Sequence, residues 1–121
     1  MIGRNDGGKE ADFVCLVGSD KLSSELHRIS EKANTDYTQL ALNYVYNDEN
    51  HPERIYYRSD HWNFAKNGVP IIFYTNLGHK DYHKESDTIE KIDQAAYLKI
   101  TKLVFHTAWE LAFRDDRPKI D

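Results

Sequence analysis

A continuous apolar run at residues 69–74, reading VPIIFY, constrains the fold of this chain more than any other stretch. Its β-branched and aromatic residues are typical of a strand that is buried on both faces. Pro70 fits only near the start of such a strand, because proline cannot donate to a neighbouring strand. The run therefore predicts a buried strand over residues 69–74.

The sequence predicts a short helix before this strand and a polar loop after it. Before it, Ser59 is a suitable N-cap for a short helix over residues 60–66, and Gly68 stands where a left-handed residue ends a helix. After it, residues 75–88 form a polar stretch that carries imidazoles, carboxylates and a phenol together. Loops that leave the carboxyl end of a strand are where α/β sheets usually build their sites, so we expect the functional residues there.

The rest of the chain supplies the other elements of a small α/β unit. Periodicity and caps predict a buried strand at 13–17, a helix capped by Ser19 or Asp20, a half-buried strand at 36–46, and a helix from Asp93 to about residue 114. The last helix is apolar over much of its circumference. We therefore expect it to be largely buried.

Composition limits the classes of function. The chain has 121 residues, which suits one domain with one modest core. A net charge of −4 without a basic stripe argues against a nucleic-acid partner, and no stretch is long enough to cross a membrane. The single cysteine, Cys15, lies in an apolar run. It is expected to be a buried, inert thiol.

Two segments together resemble a known family. Residues 59–88, SDHWNFAKNGVPIIFYTNLGHKDYHKESDT, and the opening MIGR closely resemble the C-terminal part of the zinc-dependent aminopeptidases, a family that also includes glutaminyl cyclases, glutamate carboxypeptidase and the transferrin receptor. The resemblance implies a three-layer α/β/α fold with a mixed, mostly parallel sheet whose N-terminal strands and helices are missing. Residues 1–121 would then be the C-terminal portion of a single catalytic domain.

The resemblance also implies roles for particular residues. In the family's Tyr-His-x-x-x-Asp-Thr setting the histidine, here His83, is a zinc ligand, and the tyrosine, here Tyr82, can hydrogen-bond the tetrahedral intermediate. The triplet Ser59, Asp60 and His61 matches residues beside the substrate pocket. Zinc is the implied cofactor, and the implied reaction is attack of a metal-activated water on an N-terminal peptide bond.

Several of these residues also have plainer interpretations. Asp60 can be an acid favoured in the first turn of a helix, and Asp87 can either orient His83 or start a turn. His61 and His79 do not match the ligand position and are taken as supporting or structural residues.

Most of the family's metal ligands and its general-base glutamate are not found in this sequence. We therefore expect the chain to be inactive alone, and to self-associate or to pair with a missing N-terminal part, because open sheet edges and apolar faces need cover. A peptide with a free N-terminus is the implied substrate, and an extracellular or periplasmic location is implied by the relatives. Two alternatives are a non-catalytic binding or assembly module, and glutaminyl cyclisation, although cyclases usually have Trp where this chain has Tyr82.

Overall fold

The computed structural model describes residues 1–4, 12–76 and 78–121. Residue 77, inside the predicted polar loop, lies outside the described part. Within these described ranges three strands and three α-helices alternate: β1 Phe13–Val17, α1 Ser24–Ala33, β2 Ala41–Asn43, α2 His61–Ala65, β3 Phe73–Thr75 and α3 Gln94–Phe113. Short 3₁₀ turns at Val45–Asn47, Ile55–Tyr57 and Ile89–Lys91 complete the chain path.

The sheet is small and mixed. Its order is β2-β1-β3, with β1 parallel to β2 and antiparallel to β3. Val14 lies opposite Leu42, and Leu16 lies opposite Tyr74. A mixed sheet combined with helices confirms the α/β class predicted from the sequence.

Both faces of β1 are covered, which explains its apolar sequence. Val14 and Leu16 point to one side, where they pack with Ile100 of α3 in a cluster that also receives α1. Val17 points to the other side and packs in a second cluster with Ala65 of α2. Since successive side chains of a strand alternate between faces, helices cover the sheet from both sides.

The strand predicted at residues 69–74 is shifted and shorter than expected. Only Phe73–Thr75 pairs with β1, while Val69 is 47% exposed and precedes the sheet. Ile71 still packs in the second cluster without forming a strand. The apolar run therefore includes residues that contact the core without belonging to the strand, which is why it is longer than the strand.

The short helix α2 ends as predicted but does not begin as predicted. Gly68 is left-handed with φ +75°, and the backbone N–H of Val69 donates to the carbonyl of Phe64 at 3.2 Å. That pair of features is a Schellman ending. At the other end Asp60 occupies the N-cap position in helical geometry, without a side-chain capping bond. The prediction that Ser59 caps this helix is therefore wrong.

The half-buried strand predicted at 36–46 is reduced to β2. Residues Asn34–Thr38 instead continue α1 as a π-helical turn. The cause is the Asn34 side chain, which donates to the Leu40 carbonyl and accepts from the Leu40 N–H, both at 2.9 Å. Both backbone hydrogen-bonding groups of Leu40 are thus occupied by a side chain and are not available to a neighbouring strand. Gln39 closes the turn with φ +53°.

Helix α1 starts later than expected. Its cap is Ser23, whose hydroxyl accepts a hydrogen bond from the Leu26 N–H at 3.1 Å, so the prediction of Ser19 or Asp20 is wrong. Asp20 instead accepts a hydrogen bond from the Asn47 side chain.

Helix α3 begins at the predicted cap, because Asp93 accepts a hydrogen bond from the Ala96 N–H at 3.0 Å. One stripe, including Ile100 and Leu103, is fully buried. The opposite side is open to solvent, with Trp109 at 52% and Phe113 at 71% exposure. The prediction that α3 is largely buried is therefore wrong for this chain. No helix in the described ranges is long and apolar enough to span a membrane.

Cys15 is buried, with 3% of its surface exposed, and burial raises its pKa to about 11. We predict that iodoacetamide at pH 8 leaves the native thiol unmodified, since the thiolate is the nucleophile and both its formation and its access are suppressed. In denaturant the thiol should react at the rate of free cysteine. Mass spectrometry of alkylated protein checks this, and rapid native alkylation would contradict the buried position of β1.

Candidate active-site loop and pocket

The polar loop after β3 leaves from a fixed point. Asn76 is 2% exposed, and its backbone N–H donates to the Met1 carbonyl at 2.8 Å. Its side chain accepts from the Gly3 N–H at 3.1 Å and donates to the Phe13 carbonyl at 2.8 Å. One buried amide therefore ties the first residues of the chain, the start of β1 and the end of β3 together.

Arg4 holds the loop that follows. Its guanidinium is buried and donates to Asp81 at 2.7 Å and also to Asp87. Asp81 accepts further hydrogen bonds from the Ser86 hydroxyl at 2.7 Å and from Lys91 at 3.0 Å. We call Arg4, Asp81 and Asp87 the arginine clamp. Asp87 does not start the turn that was considered for it: its N–H donates to the Lys84 carbonyl at 3.0 Å, so it ends a turn that begins at Lys84, while its carboxylate binds Arg4.

The arginine clamp brackets the two residues that the sequence singled out. Tyr82 and His83 lie between Asp81 and Asp87, and their rings stack with centroids 4.0 Å apart. His83 has φ +57°, a left-handed conformation uncommon for a non-glycine residue. Tyr82 is 38% exposed and His83 is also exposed. The loop therefore presents an imidazole and a phenol side by side at the surface.

A cavity of about 750 Å³ opens beside this pair. Its walls include Tyr82, His83 and Ser59, so the structure brings the predicted metal ligand, the predicted catalytic phenol and one predicted pocket residue to the same place. Phe73 and Ile55 give the cavity an apolar side.

The other two residues of the predicted pocket triplet lie elsewhere. Asp60 is exposed at the start of α2. His61 is 9% exposed and lies behind the cavity wall, stacked on Phe73 at a centroid distance of 4.6 Å. Its Nε2 lies 3.1 Å from the Ile55 carbonyl and 2.9 Å from the Tyr56 carbonyl, so that nitrogen carries the proton and donates. His61 thus supports the pocket from behind rather than lining it.

His79 is a second buried histidine in the region. It is 7% exposed, lines the cavity and meets the Tyr82 ring edge-on, with centroids 5.9 Å apart. Neither of its ring nitrogens has a hydrogen-bond partner within the described part of the chain. Sequence reasoning noticed this residue but found no signal for its burial.

The clamp residues were also missed as functional elements. The MIGR segment contributed to the resemblance, yet nothing in the sequence showed that Arg4 contacts Asp81 and Asp87. These aspartates follow it in the chain by 77 and 83 positions, respectively. The only available signal was the coincidence of an isolated arginine at one end of the chain and two aspartates flanking Tyr82 and His83.

The described residues do not form a complete zinc site. Within residues 1–4, 12–76 and 78–121, no cluster of three or more histidine, cysteine, aspartate or glutamate side chains is placed to hold a metal ion. Two of the carboxylates that lie close to His83 in sequence, Asp81 and Asp87, are already paired with Arg4. Zinc in proteins normally takes three or four protein ligands, so His83 alone does not fit the requirement.

Comparison with protein-family models decides the family. The model of Peptidase family M28 matches residues 1–108. The chain belongs to peptidase family M28. No curated protein and no solved structure gave a match. The matched range contains the MIGR segment, the Tyr82–His83 loop and most of α3, so the family resemblance found in the sequence is confirmed.

Acid should loosen this M28 loop through the arginine clamp. Arg4, with help from Ser86 and Lys91, lowers the pKa of Asp81 well below its ordinary value of 3.8. A carboxylate whose pKa is lower in the folded state contributes stability above its unfolded pKa and loses it as the pH falls toward the folded pKa. We predict that the melting temperature falls below about pH 4, and that Asp81→Asn lowers the melting temperature at pH 7 and flattens this acid dependence.

Circular dichroism melts between pH 2.5 and pH 7 measure both effects. Asp48→Asn is the matched control, because Asp48 is exposed and its side chain accepts only a local backbone hydrogen bond from Asn50 among the described residues. Equal acid dependence in Asp81→Asn and in the parent protein would show that the clamp does not govern acid stability.

Proposed function

We propose that this chain supplies one side of a zinc aminopeptidase active site, with His83 as a metal ligand and Tyr82 as the phenol that meets the reacting carbonyl. The observation that supports it most is the arrangement of these two rings: stacked at 4.0 Å, exposed, and at the mouth of a cavity with an apolar wall. The other ligands must come from protein outside the described residues. Zinc bound there would supply Lewis-acid chemistry.

The chain's own residues have defined tasks in this proposal. The arginine clamp fixes the loop, so that the His83 imidazole faces outward before any metal arrives. The cavity beside it accepts the side chain of an N-terminal residue against Phe73 and Ile55. We further propose that the 121 residues are the C-terminal portion of a catalytic domain, inactive alone, and that the complete enzyme acts outside the cytoplasm.

A chimera tests the proposal directly. The upstream half of an active M28 peptidase, joined to this chain, should bind zinc and hydrolyse an aminoacyl p-nitroanilide. We predict that His83→Ala loses the bound zinc and the activity together, because a ligand is gone. Tyr82→Phe should keep the zinc but lower kcat by about 10²–10³-fold, as loss of a donor to a developing oxyanion does. Metal analysis and steady-state kinetics give the two readouts.

His51→Ala is the control for this pair, since His51 is a histidine outside the cavity. The unfused chain should retain well under one zinc per molecule after gel filtration. The proposal fails if the His83→Ala chimera keeps its zinc and its activity.

The open face of α3 supports the proposed association with another segment. Phe105 and Phe113 flank Trp109, with ring centroids 5.8 Å and 4.3 Å away, and all three are more than half exposed. Contiguous exposed apolar surface of this kind marks an interaction site. We propose that a second copy of the chain, or the missing N-terminal part where it is present, covers this face.

We predict concentration-dependent dimers of the isolated chain by analytical ultracentrifugation. The double change Phe105→Glu with Trp109→Glu should give monomers, because it places charge on the face while leaving the buried stripe intact. Val45→Glu changes an exposed apolar residue on another element and should leave the dimer unchanged. A parent chain that stays monomeric at every accessible concentration would rule out self-association.

A further inference from the structure

The segment after α3, residues 114–121, turns back onto the start of α1, and we call it the strap. Glu25, in the first turn of α1, holds it at two points. The Glu25 carboxylate accepts a hydrogen bond from the Lys119 N–H at 2.7 Å and pairs with the Arg114 guanidinium. These two contacts lower the pKa of Glu25. One carboxylate of α1 therefore binds both the first residue of the strap and a residue near its end.

The end of the strap meets the first turn of α1. The Asp121 side chain accepts from the Ser24 N–H at 2.8 Å and from the Ser24 hydroxyl at 3.0 Å. The Asp121 N–H donates to the Leu22 carbonyl at 3.1 Å. The first N–H groups of a helix have no partner within the helix, and the helix dipole favours a carboxylate there. The strap therefore adds hydrogen bonds to α1 without replacing any that the helix makes itself.

The strap can leave without unfolding α1. The hydroxyl of Ser23, the N-cap of α1, accepts from the Leu26 N–H and donates to the Lys119 carbonyl at 2.6 Å. A hydroxyl has one proton and two lone pairs, so the cap bond to Leu26 persists when water takes the place of Lys119. Every strap residue is exposed or half-buried. Surface hydrogen bonds and one ion pair thus supply most of the attachment, and each of them is weak in net terms.

The strap lines a cavity of about 510 Å³ between α1 and α3. Leu26 and Leu111, one from each helix, and Val69 give this cavity apolar walls, and the strap adds Pro118 and Ile120. Among the described residues, the charged side chains at the cavity all belong to the strap: Arg114, Asp115, Asp116 and Arg117. Detachment of the strap would therefore leave an apolar surface in contact with water.

We propose that the strap is a detachable cover, which binds and releases α1 as one unit and closes the apolar cavity only while it is bound. Its anchors lie on one short segment, so loss of one anchor lowers the local concentration of the others. The family match ends at residue 108, before the strap begins. The inference uses only the strap and the surface beneath it, and it does not depend on the proposed zinc site.

Asp121→Ala tests whether the strap is released as one unit. The Lys119 N–H donates to Glu25, so a bond that breaks independently would not respond to this change. Release as one unit should instead speed hydrogen exchange of the Lys119 N–H about two- to tenfold, the factor that corresponds to the net value of one hydrogen bond. Asp116→Ala is the matched control, because Asp116 is an exposed strap acid without a hydrogen bond or ion pair to any described residue. NMR of amide exchange measures both variants.

Binding of Nile red, a neutral apolar dye, tests the cover. The measurement uses the full chain with Phe105→Glu and Trp109→Glu, which remove the exposed aromatic face of α3 as a competing site. Adding Asp121→Ala should raise the fluorescence of the dye, because the apolar surface beneath the strap becomes accessible. Adding Leu111→Ser as well should cancel that gain, since Leu111 belongs to the cavity wall.

Two results would overturn the inference. Unchanged exchange of the Lys119 N–H in Asp121→Ala would show that the anchors break one at a time. Equal Nile red fluorescence with and without Asp121→Ala would show that the strap does not cover the cavity. Cys15 distinguishes strap release from unfolding, because this buried thiol stays inert to iodoacetamide only while the sheet is intact.

Discussion

The candidate site depends on one buried guanidinium. Arg4 reaches across the fold to Asp81 and Asp87, and between those two aspartates lie Tyr82 and His83, which line the cavity. Burying an ion pair has a large desolvation cost, which the attraction offsets only when geometry and extra hydrogen bonds are good. Here Ser86 and Lys91 supply the extra bonds to Asp81. The result is a loop with one geometry.

That geometry includes a conformation that the loop would not adopt freely. His83 is left-handed, a state that costs a non-glycine residue free energy and persists only where the surroundings impose it. The clamp on both sides of Tyr82 and His83 provides that constraint. A ligand held this way loses little conformational entropy when it binds a metal or a substrate, which is the benefit of preorganisation.

Local sequence signals predicted those parts of the fold that local chemistry controls. Asp93 caps α3 and Gly68 ends α2 as expected, because a cap and a left-handed glycine each act within a few residues. The cap of α1 was predicted wrongly, because the helix begins only at Ser24 and its cap is Ser23 rather than Ser19 or Asp20. The strand predicted at 36–46 was lost to a side chain, since alternation of apolar residues gave no sign that Asn34 would capture Leu40.

The residues of the candidate site also fall into those that the sequence predicted and those that it did not. The family resemblance identified Tyr82, His83 and Ser59, and all three line one cavity. It did not separate His61 from His79, since both are histidines near the same loop. Only packing distinguishes them: Nε2 of His61 donates to two backbone carbonyls, whereas both ring nitrogens of His79 lack a partner among the described residues.

The open surfaces of the molecule are consistent with the proposal that another protein segment completes the active site. An apolar helix face and a metal-type imidazole are both exposed, and within the described residues no further ligands stand beside the imidazole. A protein segment that covers α3 and one that completes the site would each bury surface that is now in contact with water. The arginine clamp holds its half of the site without either of them. In the proposed enzyme, folding of this part and binding of metal would therefore be separable events, unlike in small domains where the metal itself drives folding.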